Sequence, residues 1–185
     1  MTDSGVFLAR HGQTAYNAEL RFQGHLPVPL DATGREQACE LAERAVPYGF
    51  VALYASPLER ALETARAVGE RIGLDPRLDA RLVETDCGDW TGRAMDEVQV
   101  EDPEHFQAWV DGDPDFRFPG GESFHEQAAR VQAAMADIRA GERPALVVCH
   151  RHTMRFALSG WSGEARPRLG GGWRPIGNGE IVALT

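Results

Sequence analysis

The sequence predicts an α/β fold with a mainly parallel sheet. Short apolar runs typical of buried strands alternate along the chain with longer segments of helical periodicity, and turn residues separate them. The 185 residues match one domain of ordinary size, so we expect a single domain over residues 1–185. The sequence contains no internal repeat and no low-complexity tract.

The predicted elements follow from apolar periodicity and from helix-capping signals. In chain order, the pattern predicts strands at 5–10, 50–55, 77–83, 144–149 and 180–184, and helices at 33–46, 56–73, 95–101, 103–110, 124–140 and 153–160. Thr33 precedes Glu36, and Ser123 precedes Glu126, at the spacing of a capping box. Ser56 stands before a proline, which fits the first helical position.

Acidic residues are concentrated in one segment. The formal net charge is −9, from 28 acidic and 19 basic residues. Between residues 84 and 126 there are thirteen acids and two arginines, whereas the rest of the chain carries fifteen acids and seventeen arginines. We therefore expect residues 84–122 to form an acidic loop or lid on a slightly basic body, the alternative being a solvated surface insert.

Composition excludes several classes of protein. All nineteen basic residues are arginines, which excludes nucleotide phosphate loops, protein kinases and Schiff-base enzymes, because each requires a lysine. The acidic balance argues against nucleic-acid binding. With no signal-peptide pattern, no membrane-length apolar run and three cysteines at unrelated spacings, we expect a cytoplasmic protein without membrane contact.

Polar side chains follow the predicted strands at the end where α/β sheets bind ligands. Arg10 and His11 close the first strand, and Arg60 lies in the first turn of the helix after the second. Glu84 follows the third strand and His150 follows the fourth. Because the carboxyl ends of parallel strands share one edge of a sheet, we expect these five side chains to lie together.

Two histidines, two arginines and one carboxylate fit the transfer of a phosphoryl group. Guanidinium groups stabilise the negative charge on the three equatorial oxygens of the transition state, and Arg60 gains from the positive end of its helix. A neutral imidazole can attack phosphorus, and a carboxylic acid can protonate the departing alcohol.

The motifs around these residues resemble those of the histidine phosphatase superfamily, which includes cofactor-dependent phosphoglycerate mutases. The matching blocks are the Arg-His-Gly signature within 8–14, then 23–24, 34–38, 56–61, 82–84 with 88–92, 119–123 and 147–150. The signature alone is weakly specific, but ordered blocks over nearly the whole chain are strongly so. The resemblance implies a phosphoglycerate mutase-like, three-layer sandwich with helices on both sides of the sheet.

By this resemblance, His11 is the nucleophile that carries the phosphoryl group. Glu84 donates a proton to the leaving group and then activates water. The residues expected to hold the phosphoryl group or the substrate are Arg10, Asn17, Gln23, Arg60, His150 and Arg151. Family members need no metal, so we expect no metal and no other cofactor.

Some positions depart from the family pattern or leave alternatives open. A small residue usually follows the second histidine, whereas here Arg151 and His152 stand there and either add groups to the pocket or point away. His150 and His152 could instead bind a metal, because alternate residues of a strand share a face, but no second ligand cluster completes the site. Trp90 is expected to line the leaving-group side because it lies near Glu84 in the sequence.

The favoured function is a phosphomonoester hydrolase that acts through a phosphohistidine on a small phosphorylated metabolite. The alternatives are a mutase-type phosphotransferase and a catalytically silent phosphate-binding module. Mutases that share the signature carry an insertion after the acid-bearing block, and only 34 residues separate Glu84 from Pro119, which favours water as the acceptor. A homodimer is a further expectation.

The charge distribution also suggests a substrate preference. If the acidic segment closed over the site, it would disfavour bisphosphates and nucleotides. It would favour a monophosphate whose leaving group is neutral.

Overall fold

The sheet has a mixed topology with one antiparallel edge. The structure is a computed structural model that describes residues 5–160 and 176–184. Its strands are β1 (Val6–Arg10), β2 (Ala52–Ala55), β3 (Arg77–Leu78), β4 (Ala145–Cys149) and β5 (Ile181–Leu184). They form one sheet in the order β3-β2-β4-β1-β5, in which β1 to β4 are parallel and β5 is antiparallel to β1.

Helices connect most of these strands. They are α1 (Ala15–Ala18), α2 (Ala32–Ala45), α3 (Glu59–Ile72), α4 (Met95–Glu101), α5 (Pro103–Asp111), α6 (Phe124–Ala140) and α7 (Arg151–Ser159). Single 3-10 turns lie at Val46–Tyr48, Ala80–Leu82 and Gly88–Trp90. No helix in the described ranges combines the length and the apolar character that a membrane span requires.

Helices cover both faces of the sheet, so the predicted three-layer sandwich is confirmed. Leu146 of β4 packs in the core with Leu41 of α2 and Val68 of α3 on one face. Val147 faces the opposite way and packs in a second core with Met135 of α6. Both faces of β4 are therefore buried, which explains why its sequence is a continuous apolar run rather than an alternating one.

The register of the strands sets the position of the site. Arg10 of β1 pairs with Cys149 of β4, and the backbone N–H of the next residue, His11, donates to the Cys149 carbonyl (3.1 Å). In the same way, the N–H of Ser56 after β2 donates to the Val148 carbonyl (3.0 Å). The three central strands therefore end level with one another, and the residues that follow them meet at one edge.

Two of the predicted helix starts are wrong. Helix α2 begins at Ala32 because an Asp31 carboxylate oxygen accepts from the N–H of Gly34 (2.7 Å), so Asp31 caps the helix in place of Thr33. Helix α3 begins at Glu59 rather than directly after Ser56.

Elsewhere the element boundaries were predicted more closely. The capping box of Ser123 and Glu126 is confirmed, as are the two short helices α4 and α5. The third strand is only Arg77–Leu78, because Asp79 then caps a 3-10 turn. Helix α7 begins at Arg151, two residues earlier than expected.

Candidate active site

The predicted site residues converge at the carboxyl edge of the sheet. A cavity of about 80 Å³ lies there. Its lining includes Arg10, His11, Asn17, Gln23, Arg60, Glu84 and Arg151. His150 lies beside His11, with the two ring centroids 5.1 Å apart. All eight sequence-predicted residues are therefore at or next to one cavity.

His11 is held as a neutral imidazole with one free nitrogen. Its Nδ1 lies 2.7 Å from the carbonyl oxygen of Gly12, which can only accept, so the ring proton is on Nδ1. Burial and the charges of Arg60 and Arg10 keep the pKa of His11 well below its usual value. The lone pair of Nε2 is therefore available to attack an electrophile.

The loop after His11 is closely packed. A Cβ atom on Gly12 would lie 2.2 Å from the carbonyl oxygen of Gly34, a distance that no side chain tolerates. Conversely, a Cβ on Gly34 would lie 2.0 Å from the carbonyl oxygen of Gln13. The two glycines allow the start of α2 to pack directly against the histidine loop.

Arg10 and Arg60 are oriented by neutral acceptors. Arg10 donates to the carbonyl oxygen of Ile176 (2.8 Å), and Arg60 donates to those of Gly24 (2.9 Å) and Leu26 (3.1 Å). Burial lowers the pKa of each to about 10, so both remain charged at neutral pH. Because carbonyl groups orient a cation without neutralising it, both positive charges remain available to an anion.

Ser56 fixes the second histidine. The Ser56 hydroxyl oxygen accepts from the N–H of Leu58 (3.3 Å) and lies at hydrogen-bond distance (2.8 Å) from His150 Nε2. The other ring nitrogen, Nδ1, is buried and has no protein partner in the described part of the chain. Burial, Arg60 and His11 lower the pKa of His150 well below its usual value, so the ring is neutral.

Glu84 is an ionised carboxylate in a buried environment. Its two oxygens accept from the N–H groups of Thr85 (3.0 Å) and His152 (3.3 Å), and His152 Nδ1 lies 3.6 Å away. Burial by itself raises the pKa of Glu84, but the contact with His152 and the hydrogen bond from the Thr85 N–H outweigh it and hold the pKa well below the usual value.

Arg130 of α6 holds the backbone that carries Glu84. It donates to the carbonyl oxygens of Arg81 (2.8 Å), Val83 (2.7 Å) and Glu84 (3.0 Å). It also pairs with both carboxylate oxygens of Glu122, at 2.6 and 2.8 Å. The side chains of this pair are 19% and 15% exposed, so the clamp is largely shielded from water. Sequence reasoning did not identify it.

Asn17 and Gln23 present amide donors to the cavity. The Thr14 hydroxyl donates to Gln23 Oε1 (3.0 Å), and the Thr14 N–H donates to Asn17 Oδ1 (3.2 Å). Asn178 also donates to Asn17 Oδ1 (3.3 Å) and to the carbonyl oxygen of His11 (2.9 Å). With both side-chain oxygens occupied, the NH2 groups are the groups left for a ligand.

The leaving-group side is apolar, but its tryptophan is not the one predicted. Trp90 is 2% exposed, because the 3-10 turn Gly88–Trp90 places its side chain in the core rather than at the cavity. Trp109 of α5 lines the cavity instead, together with Phe22 and Met95. Sequence distance from Glu84 gave the wrong residue because packing of α5, not proximity in the chain, forms this wall.

The acidic segment does not place its charges over the cavity. Among the described residues, Glu84 is the one acid in the cavity lining, which also contains Arg10, Arg21, Arg60 and Arg151. Helices α4 and α5 contribute Met95 and Trp109 to it, whereas their acidic residues are largely exposed to solvent. Apart from Glu84, the acids of this segment therefore do not line the cavity.

His150 and His152 do not converge on a common point as metal ligands would. His150 contacts Ser56, whereas His152 contacts Glu84. No group of three or more His, Cys, Asp or Glu side chains that could hold a metal occurs in the ranges 5–160 and 176–184.

A mainly parallel sheet with a neutral histidine between two arginines at its carboxyl edge is the fold and site of the histidine phosphatase class. Residues 6–185 match the model of the histidine phosphatase superfamily (branch 1). The chain belongs to this family, which confirms the resemblance found in the sequence.

Named relatives include both mutases and phosphatases. The chain is 43% identical over 145 residues to the probable phosphoglycerate mutase GpmB of Enterobacter sp. (strain 638), covering 77% of this chain and 67% of that protein. It is 34% identical to the mycobacterial glucosyl-3-phosphoglycerate phosphatase, with a TM-score of 0.77 over 85% of this chain and 80% of that one. It is 32% identical to the alpha-ribazole phosphatase of Shigella flexneri, with a TM-score of 0.73 over 86% of this chain and 81% of that one.

Proposed function

We propose that the protein is a metal-independent phosphomonoester hydrolase that acts on a small phosphorylated metabolite through a phosphohistidine. The observation that carries the proposal is the neutral His11, with its proton on Nδ1, between two arginines that form no ion pair within the described part of the chain. This arrangement supplies a nucleophile and an anion site in one cavity.

The first half-reaction transfers the phosphoryl group to the protein. His11 Nε2 attacks phosphorus while Arg10 and Arg60 stabilise the equatorial oxygens, and the bond to the alcohol oxygen breaks. The amides of Asn17 and Gln23 are further donors, and the ring of His150 lies beside that of His11. Negative charge on the bound phosphoryl group opposes ionisation of the nearby Glu84, which favours its protonated form for donation to the departing alcohol.

The second half-reaction releases phosphate. After the alcohol has left, the Glu84 carboxylate accepts a proton from water, and the resulting hydroxide attacks the phosphohistidine. The N–P bond breaks, inorganic phosphate forms, and His11 returns to its neutral state.

Water is the favoured acceptor because only two short helices, α4 and α5, lie in the segment between Glu84 and Pro119. The relatives named as mutases make transfer back to a sugar acid the second candidate.

All three cysteines are free thiols, which supports a reducing compartment such as the cytoplasm.

The proposal is tested with p-nitrophenyl phosphate and with 3-phosphoglycerate in the presence of a chelator. We expect release of inorganic phosphate from both compounds and an acid-labile phosphoenzyme, which are lost in His11→Ala. Conversion of 3-phosphoglycerate to its 2-isomer faster than phosphate release would support the mutase. Binding without turnover would support the silent module, and labelled phosphoenzyme in His11→Ala would refute the assignment of the nucleophile.

A further inference from the structure

His152 contacts the acid Glu84 through both its backbone and its side chain. The His152 N–H donates to Glu84 Oε2 (3.3 Å), and the imidazole Nδ1 lies 3.6 Å from Oε1. The two side chains are 12% and 13% exposed, so the contact is shielded from water. His152 stands where this chain departs from the family pattern, so the resemblance assigns it no role.

The two carboxylate oxygens of Glu84 are not equivalent. Oε1 accepts from the Thr85 N–H (3.0 Å) and from the Gln127 amide (3.4 Å), and it is the oxygen nearest the His152 ring. Among residues 5–160 and 176–184, Oε2 accepts from the His152 N–H alone. Oε2 therefore keeps a lone pair for the proton that the reaction moves. Because His152 meets both oxygens, it also fixes the rotation of the carboxylate.

The proton of the His152 ring is on Nδ1. An ionised carboxylate can only accept, so a ring nitrogen that faces it is favourable only as an N–H. Burial lowers the pKa of His152, and the charges of Arg155 and Arg151 act in the same direction, which together outweigh the opposite effect of Glu84. The ring is therefore neutral, and Nε2 carries a lone pair. This nitrogen is buried without a hydrogen-bond partner in the described part of the chain.

A donor without an acceptor lies near that lone pair. Trp109 Nε1 is also buried and has no hydrogen-bond partner among the described residues, and an indole nitrogen can only donate. His152 and Trp109 both line a second, small cavity of about 10 Å³, and their ring centroids lie 6.1 Å apart. This volume accommodates one water molecule, which would accept from Trp109 and donate to His152 Nε2.

Other charged and titratable groups also face Glu84. The cations are Arg10 of β1, Arg60 of α3, Arg130 of α6 and Arg155 of α7, and the other titratable groups are His11, His25, His150, Cys87 and Cys149. Among the cationic and imidazole side chains that the structure describes, only that of His152 lies within 4.0 Å of a Glu84 carboxylate oxygen. A bound phosphoryl group engages Arg10 and Arg60, whereas His152 remains with the acid.

We propose that His152 is a positioning residue for Glu84, whose Nδ1–H and backbone N–H hold the carboxylate for both proton transfers, and that one water shared with Trp109 holds the ring. This role rests on the proposed hydrolase function. In the first half-reaction the proton moves from Glu84 Oε2 to the departing alcohol oxygen, and donors to the carboxylate make that acid stronger. In the second, Oε2 takes a proton from water, and the same donors keep Glu84 ionised until it does. His152 retains its own proton throughout.

The ionisation of Glu84 can be measured without turnover. Carbon-13 NMR follows its side-chain carboxyl group with pH, and the signal is assigned by its absence in Glu84→Gln. We expect His152→Ala to raise the titration midpoint by about one pH unit or more. His152→Asn should restore most of the shift, because its amide keeps an N–H near the position of Nδ1. The matched control is His105→Ala, since His105 pairs with Asp102 on the exposed surface and its loss should leave the midpoint unchanged.

Decay of the phosphoenzyme tests the role in the chemistry. This step requires an ionised Glu84, so its rate falls at low pH. In His152→Ala the fall should begin about one pH unit higher, which slows decay about tenfold at pH values below the midpoint. Trp109→Phe removes the indole N–H and keeps an aromatic ring, so the fall should move in the same direction by less. Rapid quenching of labelled phosphoenzyme measures the rate, and circular dichroism confirms that each variant is folded.

The outcomes separate the role of His152 from the function on which it rests. A Glu84 signal that titrates no higher in His152→Ala than in the unaltered protein would overturn the role. Equal loss of rate at every pH in His152→Ala and His152→Asn would do the same, because it shows a packing role only. An unchanged profile in Trp109→Phe would overturn the shared water alone. Absence of hydrolysis would overturn the proposed function, and the NMR titration would still decide whether His152 controls Glu84.

Discussion

Replacing Arg130 by methionine should weaken both the fold and the chemistry of Glu84. The substitution removes the pairing with Glu122 and three hydrogen bonds to the carbonyl groups of the segment 81–84. Loss of one partner from a buried ion pair costs about 3–5 kcal/mol, and the partial exposure of this pair favours the lower value. For a chain of this length, about 3 kcal/mol lowers Tm by roughly 6–12 °C.

The catalytic effect should depend on the leaving group. Glu84 supplies a proton to the departing alcohol, and general acid catalysis contributes about 10²–10⁴ in rate. Displacement of its backbone in Arg130→Met should therefore lower kcat for glycerol 3-phosphate by about tenfold or more. The loss should be smaller for p-nitrophenyl phosphate, because p-nitrophenolate departs with little help from an acid.

Two comparisons make the reasoning refutable. Arg117→Met removes the ion pair between Arg117 and Glu126. Because both side chains are 54% exposed, the free energy of unfolding should change by no more than about 1 kcal/mol. Removing both partners of the buried pair, in Arg130→Met with Glu122→Leu, should recover part of the lost stability. Equal losses of kcat for both substrates, or a Tm change no larger than that of Arg117→Met, would show that Arg130 does not position Glu84.

Two further predictions concern stability. Burial lowers the pKa of His11, His150 and His152 in the folded protein. Below about pH 6.5 the unfolded chain therefore binds more protons than the folded protein. The free energy of unfolding should then fall on acidification, by up to about 1.4 kcal/mol per pH unit for each histidine. Urea unfolding at pH 7.5 and pH 5.5 measures this, and equal midpoints would contradict it. Gly12→Ala should destabilise the protein by several kcal/mol and abolish activity, because its Cβ would overlap a carbonyl oxygen at 2.2 Å. Gly177→Ala is the control, since its Cβ would meet its nearest neighbour at 3.6 Å, and similar melting temperatures for the two variants would contradict the steric argument.

The sequence predicted those features that depend on local pattern. Buried strands such as β4 are apolar runs, and the carboxyl ends of parallel strands lie at one edge of a sheet. Arg10, His11 and His150 could therefore be placed together from the sequence pattern alone. The start of α2 was placed wrongly because Asp31 and Thr33 are both good caps, and the preference between them depends on the geometry of the preceding loop.

Contacts between distant segments were not predictable in the same way. Arg130 lies in a helix whose pattern shows only that it is amphipathic, and nothing local indicates that its side chain reaches the backbone of Glu84. The contact of His152 with Glu84 likewise depends on how α7 packs against the segment after β3. The signal that could have suggested Arg130 was an arginine directly beside the apolar positions of α6, since such a residue needs a buried partner.

The absence of lysine has a physical consequence at this site. Burial lowers the pKa of Arg60 from 12.5 to about 10, which leaves it fully charged at neutral pH. A lysine begins near 10.4, so the same burial would move its pKa toward physiological pH. Arginine therefore retains its charge over a wider pH range at a phosphoryl site this deeply buried. The acids that give the chain its net charge of −9 are mostly on the outer surface of the segment 84–122. The overall acidity therefore does not weaken the attraction between the cavity arginines and a phosphoryl group.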